Sequence, residues 1–158
     1  MGSRWASAAA AVIAAGVVTL GLAAPANGTD QITANALGTY EATYEWGPKT
    51  WVVTPCEGDA FQCVHVTEYN VDDTERKSPQ WSANAYWQVG WWIVRDALTA
   101  QALTCEDGSQ HDLPMTYTWD AATGEGLRSY HEPGICGDAY NGYNRFEAKK
   151  LGPAPVPL

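Results

Sequence analysis

Basic residues are scarce: 9 Lys and Arg stand against 18 Asp and Glu in 158 residues, a formal net charge of −9. Nucleic acid is gripped by clustered Lys and Arg that displace counterions. With no basic cluster, no nucleic-acid partner is expected. The acidity reads as solubility and self-repulsion, not as a preference for a basic substrate. Catalytic punctuation is missing as well: there is no G-x-S-x-G elbow around any serine, no phosphate-binding glycine loop and no H-E-x-x-H helix. The cysteines lack the C-x-x-C spacing of a zinc site, so neither a metal nor a cofactor is expected. Beyond the first 24 residues, no apolar run approaches the roughly 20 residues that span a bilayer.

What is present begins with that first run. Met1-Gly2-Ser3-Arg4 carries one positive charge, and Trp5 to Ala24 is Ala, Val, Ile, Leu and Gly broken only by Ser7 and Thr19. Ala24-Pro25-Ala26 then supplies small residues in the A-x-A pattern, completing the three parts of a cleavable secretory signal. Cleavage is expected after Ala26, because a cut after Ala24 would leave Pro25 at the next position. The competing reading is an uncleaved anchor, the only membrane attachment expected. Myristoylation at Gly2 is disfavoured by Ala6, where the motif takes Ser or Thr.

The four cysteines, Cys56, Cys63, Cys105 and Cys136, all follow the signal. An even number in an exported chain points to disulfides. Of three possible connectivities, adjacency favours Cys56 with Cys63 and Cys105 with Cys136.

Residues 27–36 read as a flexible leader, 37–151 as one β domain and 152–158 as a Pro-rich disordered tail. From Leu37, Tyr40, Ala42, Tyr44 and Trp46 alternate with Thr39, Glu41, Thr43 and Glu45, the period of a half-buried strand. Gly47-Pro48 is expected to turn the chain into Lys49–Thr54. Phe61–Tyr69 reads as a strand with Val64 and Val66 on one face, and 70–79 as an exposed loop. Ala85–Val94 has a helix as its competing reading, but its aromatic and β-branched residues favour one strand buried on both faces. Thr99–Cys105, Pro114–Asp120, Gly126–His131 and Tyr143–Lys149 follow. No segment has a helical period. About eight short strands between turn signals predict an all-β domain, a single antiparallel barrel or sandwich stapled by two disulfides.

Leu37-Gly38-Thr39-Tyr40 with Trp46, Trp51 ahead of Cys56 and Cys63-Val64, Cys105 with Asp107-Gly108, Tyr117-Thr118-Trp119 with Gly126, and Cys136-Gly137 occur in an order that resembles a small family of exported actinobacterial domains. The order is similar to uncharacterised mycobacterial secreted proteins and to the extracytoplasmic region of some mycobacterial receptor-type Ser/Thr protein kinases. The likeness spans roughly residues 37–151. It implies a sensing or ligand-binding role outside the cytoplasm, and it carries over no binding residue.

Candidate chemistry is thin. His65, His111 and His131 have no metal-ligand spacing. Ser109-Gln110-His111-Asp112 brings together a nucleophile, a base and an acid by type, but consecutive loop residues rarely converge in a pocket. Glu41, Glu45, Glu68, Asp96 and Asp120 are the carboxylates to weigh for glycoside hydrolysis; the simpler reading is a solvated acidic surface. Tryptophan is more informative. Seven of the 8 follow the signal, and indole serves equally as barrel filling and as the wall of a ligand pocket. Neighbours on a strand face opposite ways, so one of Trp91 and Trp92 should be exposed. Trp91, Trp92, Trp87 and Trp119 are therefore the candidate ligand contacts. The expectation is a secreted or cell-envelope, non-enzymatic module for an unidentified small molecule. The alternatives are an interaction module that docks on an envelope protein or glycan through an exposed Trp, and a small hydrolase.

Overall fold

The computed structural model describes residues 30–154. The expected signal, the start of the leader and the last four residues of the tail lie outside the described residues. Eight strands run in chain order: β1 (Gly38–Tyr44), β2 (Gly47–Pro55), β3 (Cys63–Asn70), β4 (Pro79–Gln88), β5 (Trp91–Thr104), β6 (Gln110–Asp120), β7 (Glu125–Glu132) and β8 (Tyr140–Gly152). Each pairs antiparallel with the next, and β8 returns to β1, closing a barrel. Closure leaves no sheet edge unpaired. No helix among the described residues is long and apolar enough to cross a membrane.

Alternation dictates which side chains fill the interior. Ala42 and Tyr44 of β1, Trp51 and Val53 of β2, Val64 and Val66 of β3, and Trp81 and Ala85 of β4 are buried on one side of the barrel. Trp92, Val94 and Ala97 of β5, Leu113, Met115, Tyr117 and Trp119 of β6, and Phe146 and Ala148 of β8 complete the core. Trp51 sits at its centre, with ring centroids 5.6 Å from Trp81, 6.2 Å from Tyr117, 5.1 Å from Trp119 and 5.2 Å from Phe146, all edge-on. Edge-to-face contact suits the ring quadrupoles. β7 and β8 make room for large rings by giving up one side chain each. Gly126 is paired with Phe146 and Gly142 with Tyr130, and a Cβ on either glycine would come within 2.4 Å of the partner ring.

The disulfides join Cys56 to Cys63 and Cys105 to Cys136. The first closes the β2–β3 connection, and the second ties the β5–β6 loop to the β7–β8 loop at the opposite end of the barrel.

Four segments differ from expectation. The first turn falls at Glu45-Trp46 instead of Gly47-Pro48, and Pro48 pairs with Thr43 inside β2. Residues 85–94 are not one doubly buried strand. They form a hairpin, with Val89 (φ 43°) and Gly90 (φ 95°) as its two-residue turn and Trp87 directly opposite Trp92. Two consecutive positive φ values are the geometry that matches strand twist in a tight hairpin. β5 continues without a break into the strand expected at Thr99, through irregularities between Val94 and Ala97 and between Thr99 and Leu103. Finally, Gln31–Ala36 is a short helix, α1, where a flexible leader was expected. Asp30 caps it: Oδ1 accepts from Thr33 N at 2.8 Å, while Oδ2 accepts from Thr33 Oγ1 and from Gln62 N of the β2–β3 connection, both at 2.8 Å. One carboxylate thus satisfies an open helix N-terminus and moors the helix to the barrel.

Candidate functional site

α1 lies across one mouth of the barrel and does not seal it. Tyr40 Oη donates to Ala36 O at 2.8 Å and Lys150 Nζ to Asn35 O at 2.9 Å, so β1 and β8 hold the end of the helix. Beneath it is a recess of about 550 Å³, lined on one side by Ile32, Ala36 and Tyr40 and on the other by Trp87, Trp92, Trp119 and Ala148. Its rim carries Asp120, Glu147, Lys149 and Lys150. Concave, largely apolar, with few polar groups at the edge, it has the form of a small-molecule site.

Three of the four tryptophans singled out from the sequence meet here. Trp87 and Trp92 face each other across the β4–β5 hairpin at 5.4 Å, and Trp92 stands 6.5 Å from Trp119 on β6. Trp119 in turn touches Trp51, so the wall of the recess is continuous with the core. Trp91 is not part of it. It points outward, 43% exposed against 2% for Trp92, near the exposed Tyr86 and the hairpin tip Val89.

The other polar candidates are dispersed. His65 is on the outer wall, 2.7 Å from both Asn84 Oδ1 and Ser82 Oγ. His131 Nδ1 lies 2.9 Å from Asn141 Oδ1. Ser109 Oγ does approach His111 Nε2, at 3.1 Å, but it also donates to Asp107 Oδ1 at 2.7 Å. Asp112 is engaged elsewhere, accepting from Gln101 N at 2.9 Å. Among the described residues no carboxylate is hydrogen-bonded to the His111 imidazole as a relay requires. Asp120 caps the β6–β7 turn; the N–H groups of Thr123 and Ala122 hold its carboxyl below the usual range. Glu41 and Glu45 are exposed, and Asp96 occupies the irregular stretch of β5 with φ 52°. Among the described residues no three His, Cys, Asp or Glu side chains are grouped as a metal site.

The opposite mouth contains Glu68, one of the carboxylates weighed above, and corrects its reading as part of a solvated acidic surface. Glu68 is 3% exposed, pointing inward after Val64 and Val66 on β3. Its Oε2 accepts from Tyr44 Oη at 2.7 Å and from Trp51 Nε1 at 2.8 Å. Burial raises its pKa, and the two donors, with the Lys49 charge, oppose that rise. Across the mouth, the Arg128 guanidinium lies over the Trp46 ring at 4.5 Å, and Trp46 stacks on Tyr44 at 4.8 Å. The inward period of two that placed Val64 and Val66 also reaches Glu68, so the signal was in the sequence. Comparison with protein-family models, with curated proteins and with solved structures finds no match, and the two mouths of the barrel are read from their own chemistry.

Proposed function

We propose that this chain is an exported, non-enzymatic binding module that takes a small, largely apolar ligand in the recess beneath α1. The observation that carries the reading is the convergence of Trp87, Trp92 and Trp119 on an open recess of about 550 Å³. A barrel that needed indole only as filling would bury all three against one another. Here Trp92 and Trp119, 2% and 6% exposed, form the floor of a void and the half-buried Trp87 presents surface to it, where an apolar guest gains roughly 25 cal/mol for each Å² it removes from water. Asp120, Glu147, Lys149 and Lys150 at the rim would orient the polar end of such a guest. Export is supported by the charged, apolar and small-residue order of the first 26 residues, and two disulfides suit an oxidising compartment. The resemblance to extracytoplasmic sensor regions agrees with a ligand-binding role.

Tryptophan fluorescence, titrated with cell-envelope lipids and glycans, tests this. A saturable change is expected for at least one apolar ligand, and Trp87→Ala should weaken its binding about tenfold, equivalent to about 1.4 kcal/mol. Trp91→Ser should leave it unchanged. A second reading has its own observation, the exposed Trp91 beside Tyr86 and Val89, which suits docking on an envelope protein or glycan. A flat response to every ligand, with capture of an envelope component lost in Trp91→Ser, would replace the first reading by the second.

A further inference from the structure

We propose that the mouth opposite α1 is a second, independent binding site, built for a small zwitterion of the free α-amino acid class, with the ligand ammonium on Glu68 and its carboxylate on Arg128 and Lys49. These three charged groups line one cavity of about 310 Å³. No ion pair joins Glu68 to either cation; the ion pair found among the described residues is Lys77 with Glu75, on an exposed loop. A buried charge is costly unless paired and hydrogen-bonded. Here a carboxylate and a guanidinium face one void unbridged.

Two further N–H groups are buried around Glu68 and Arg128 without a well-formed hydrogen bond. Trp81, 2% exposed and behind the cavity wall, directs its Nε1–H toward Glu68 and helps to hold the carboxyl pKa down, short of a well-formed hydrogen bond. Arg128 Nε is also buried without a partner. Both protein bonds to Glu68 fall on Oε2, which leaves Oε1 for a guest. The position of Arg128 is already fixed by the Tyr44–Trp46 stack beneath it, so little freedom is lost when its guanidinium takes a carboxylate.

Charge and size set the ligand class. A simple amine would satisfy Glu68 while adding a third cation beside Arg128 and Lys49. A simple carboxylate would satisfy those two and sit against Glu68. A zwitterion avoids both penalties, and the volume lies near the lower end of the roughly 300–1,000 Å³ of small-molecule sites. Gln80, Gln101 and Thr104 on the lining favour a polar side chain.

The test follows the indole N–H signals of the disulfide-intact, ¹⁵N-labelled chain during titration with L-glutamine and L-alanine, beside propylamine, propionate and glucose. The expected result is a saturable shift of the Trp81 signal, assigned with Trp81→Phe, by the amino acids and at least tenfold weaker effects from the other three. Glu68→Gln and Arg128→Met should each weaken amino-acid binding about tenfold or more. Should either variant fail to fold, the ranking of the five probes on the unaltered chain decides alone. No Trp81 shift with either amino acid, or propylamine, propionate or glucose binding as tightly as glutamine, overturns the proposal. Signals of Trp87, Trp92 and Trp119 report the α1 mouth, so failure at one mouth is distinguishable from failure at the other.

Discussion

Glu68 is the residue on which the most physical chemistry converges. It occupies an inward position two residues after Val66 on β3, between Trp51 and Trp81 in register, and its survival there depends on donors from Tyr44 and Trp51. Because burial raises its folded pKa above the ordinary 4.5, the native protein holds this proton more tightly than the unfolded chain. The stability so gained is full below the unfolded value and is lost as pH rises through the folded one. Glutamine keeps an acceptor and does not titrate. The unfolding free energy of the unaltered chain minus that of Glu68→Gln, measured in urea across a pH series, should therefore be flat below about pH 4 and fall toward neutrality. A difference that rose with pH would contradict the burial argument. Asp30, Asp73, Asp107 and Asp120, whose pKa values are lowered, favour the opposite trend at acid pH, but they are common to both proteins and cancel. Composition alone did not distinguish Glu68 from the other acids of an acidic chain. Position on β3 did, once the alternation of Val64 and Val66 was carried two residues further.

Among the elements, those with unbroken alternation were legible and those with shifted parity were not. Tyr40, Ala42 and Tyr44 announce β1, and the four inward residues Leu113, Met115, Tyr117 and Trp119 lie on one β6 face. β5 hides itself because it carries extra residues: Val94 and Ala97 both face inward although an odd number of positions separates them. A period of two breaks there, and one 14-residue strand reads as two with a gap. The β4–β5 hairpin was obscured by aromatic density on both sides of Val89-Gly90, a turn without the usual Asn or Asp. α1 escaped notice because six residues are too few for a helical period; its signal was Asp30 three positions before Thr33. That cap is testable. Asp30→Ala removes a cap worth about 1 kcal/mol and also the bond to Gln62 N. The amides of 31–36 should exchange faster with deuterium while those of β2 and β6 keep their protection. Ligand affinity at the Trp87–Trp92 recess should fall together with this loss, since Ile32 and Ala36 line it.

For the whole molecule, closure is a matter of neighbours: every strand pairs with its successor, and only β1 with β8 joins distant sequence. The two disulfides therefore constrain different lengths of unfolded chain. Cys105–Cys136 spans 31 residues and Cys56–Cys63 spans 7. Loop-closure entropy assigns them about 3.7 and about 2.4 kcal/mol respectively. Replacing Cys105 and Cys136 by Ser should thus lower the urea midpoint more than the same change at Cys56 and Cys63, with both variants still folded around the Trp51 cluster. Equal losses would show that strain or residual structure governs instead. The closing pair has a further consequence. Thr39 lies opposite Gly152, and Thr39 Oγ1 donates to Pro153 O at 3.1 Å, so the chain enters and leaves the barrel at the same point. Tension applied through the two ends would strip α1 and then peel β1 from β8 one hydrogen bond at a time, never loading the row in parallel. A domain held together by its tryptophan core and two disulfides is, along this one direction, a zipper.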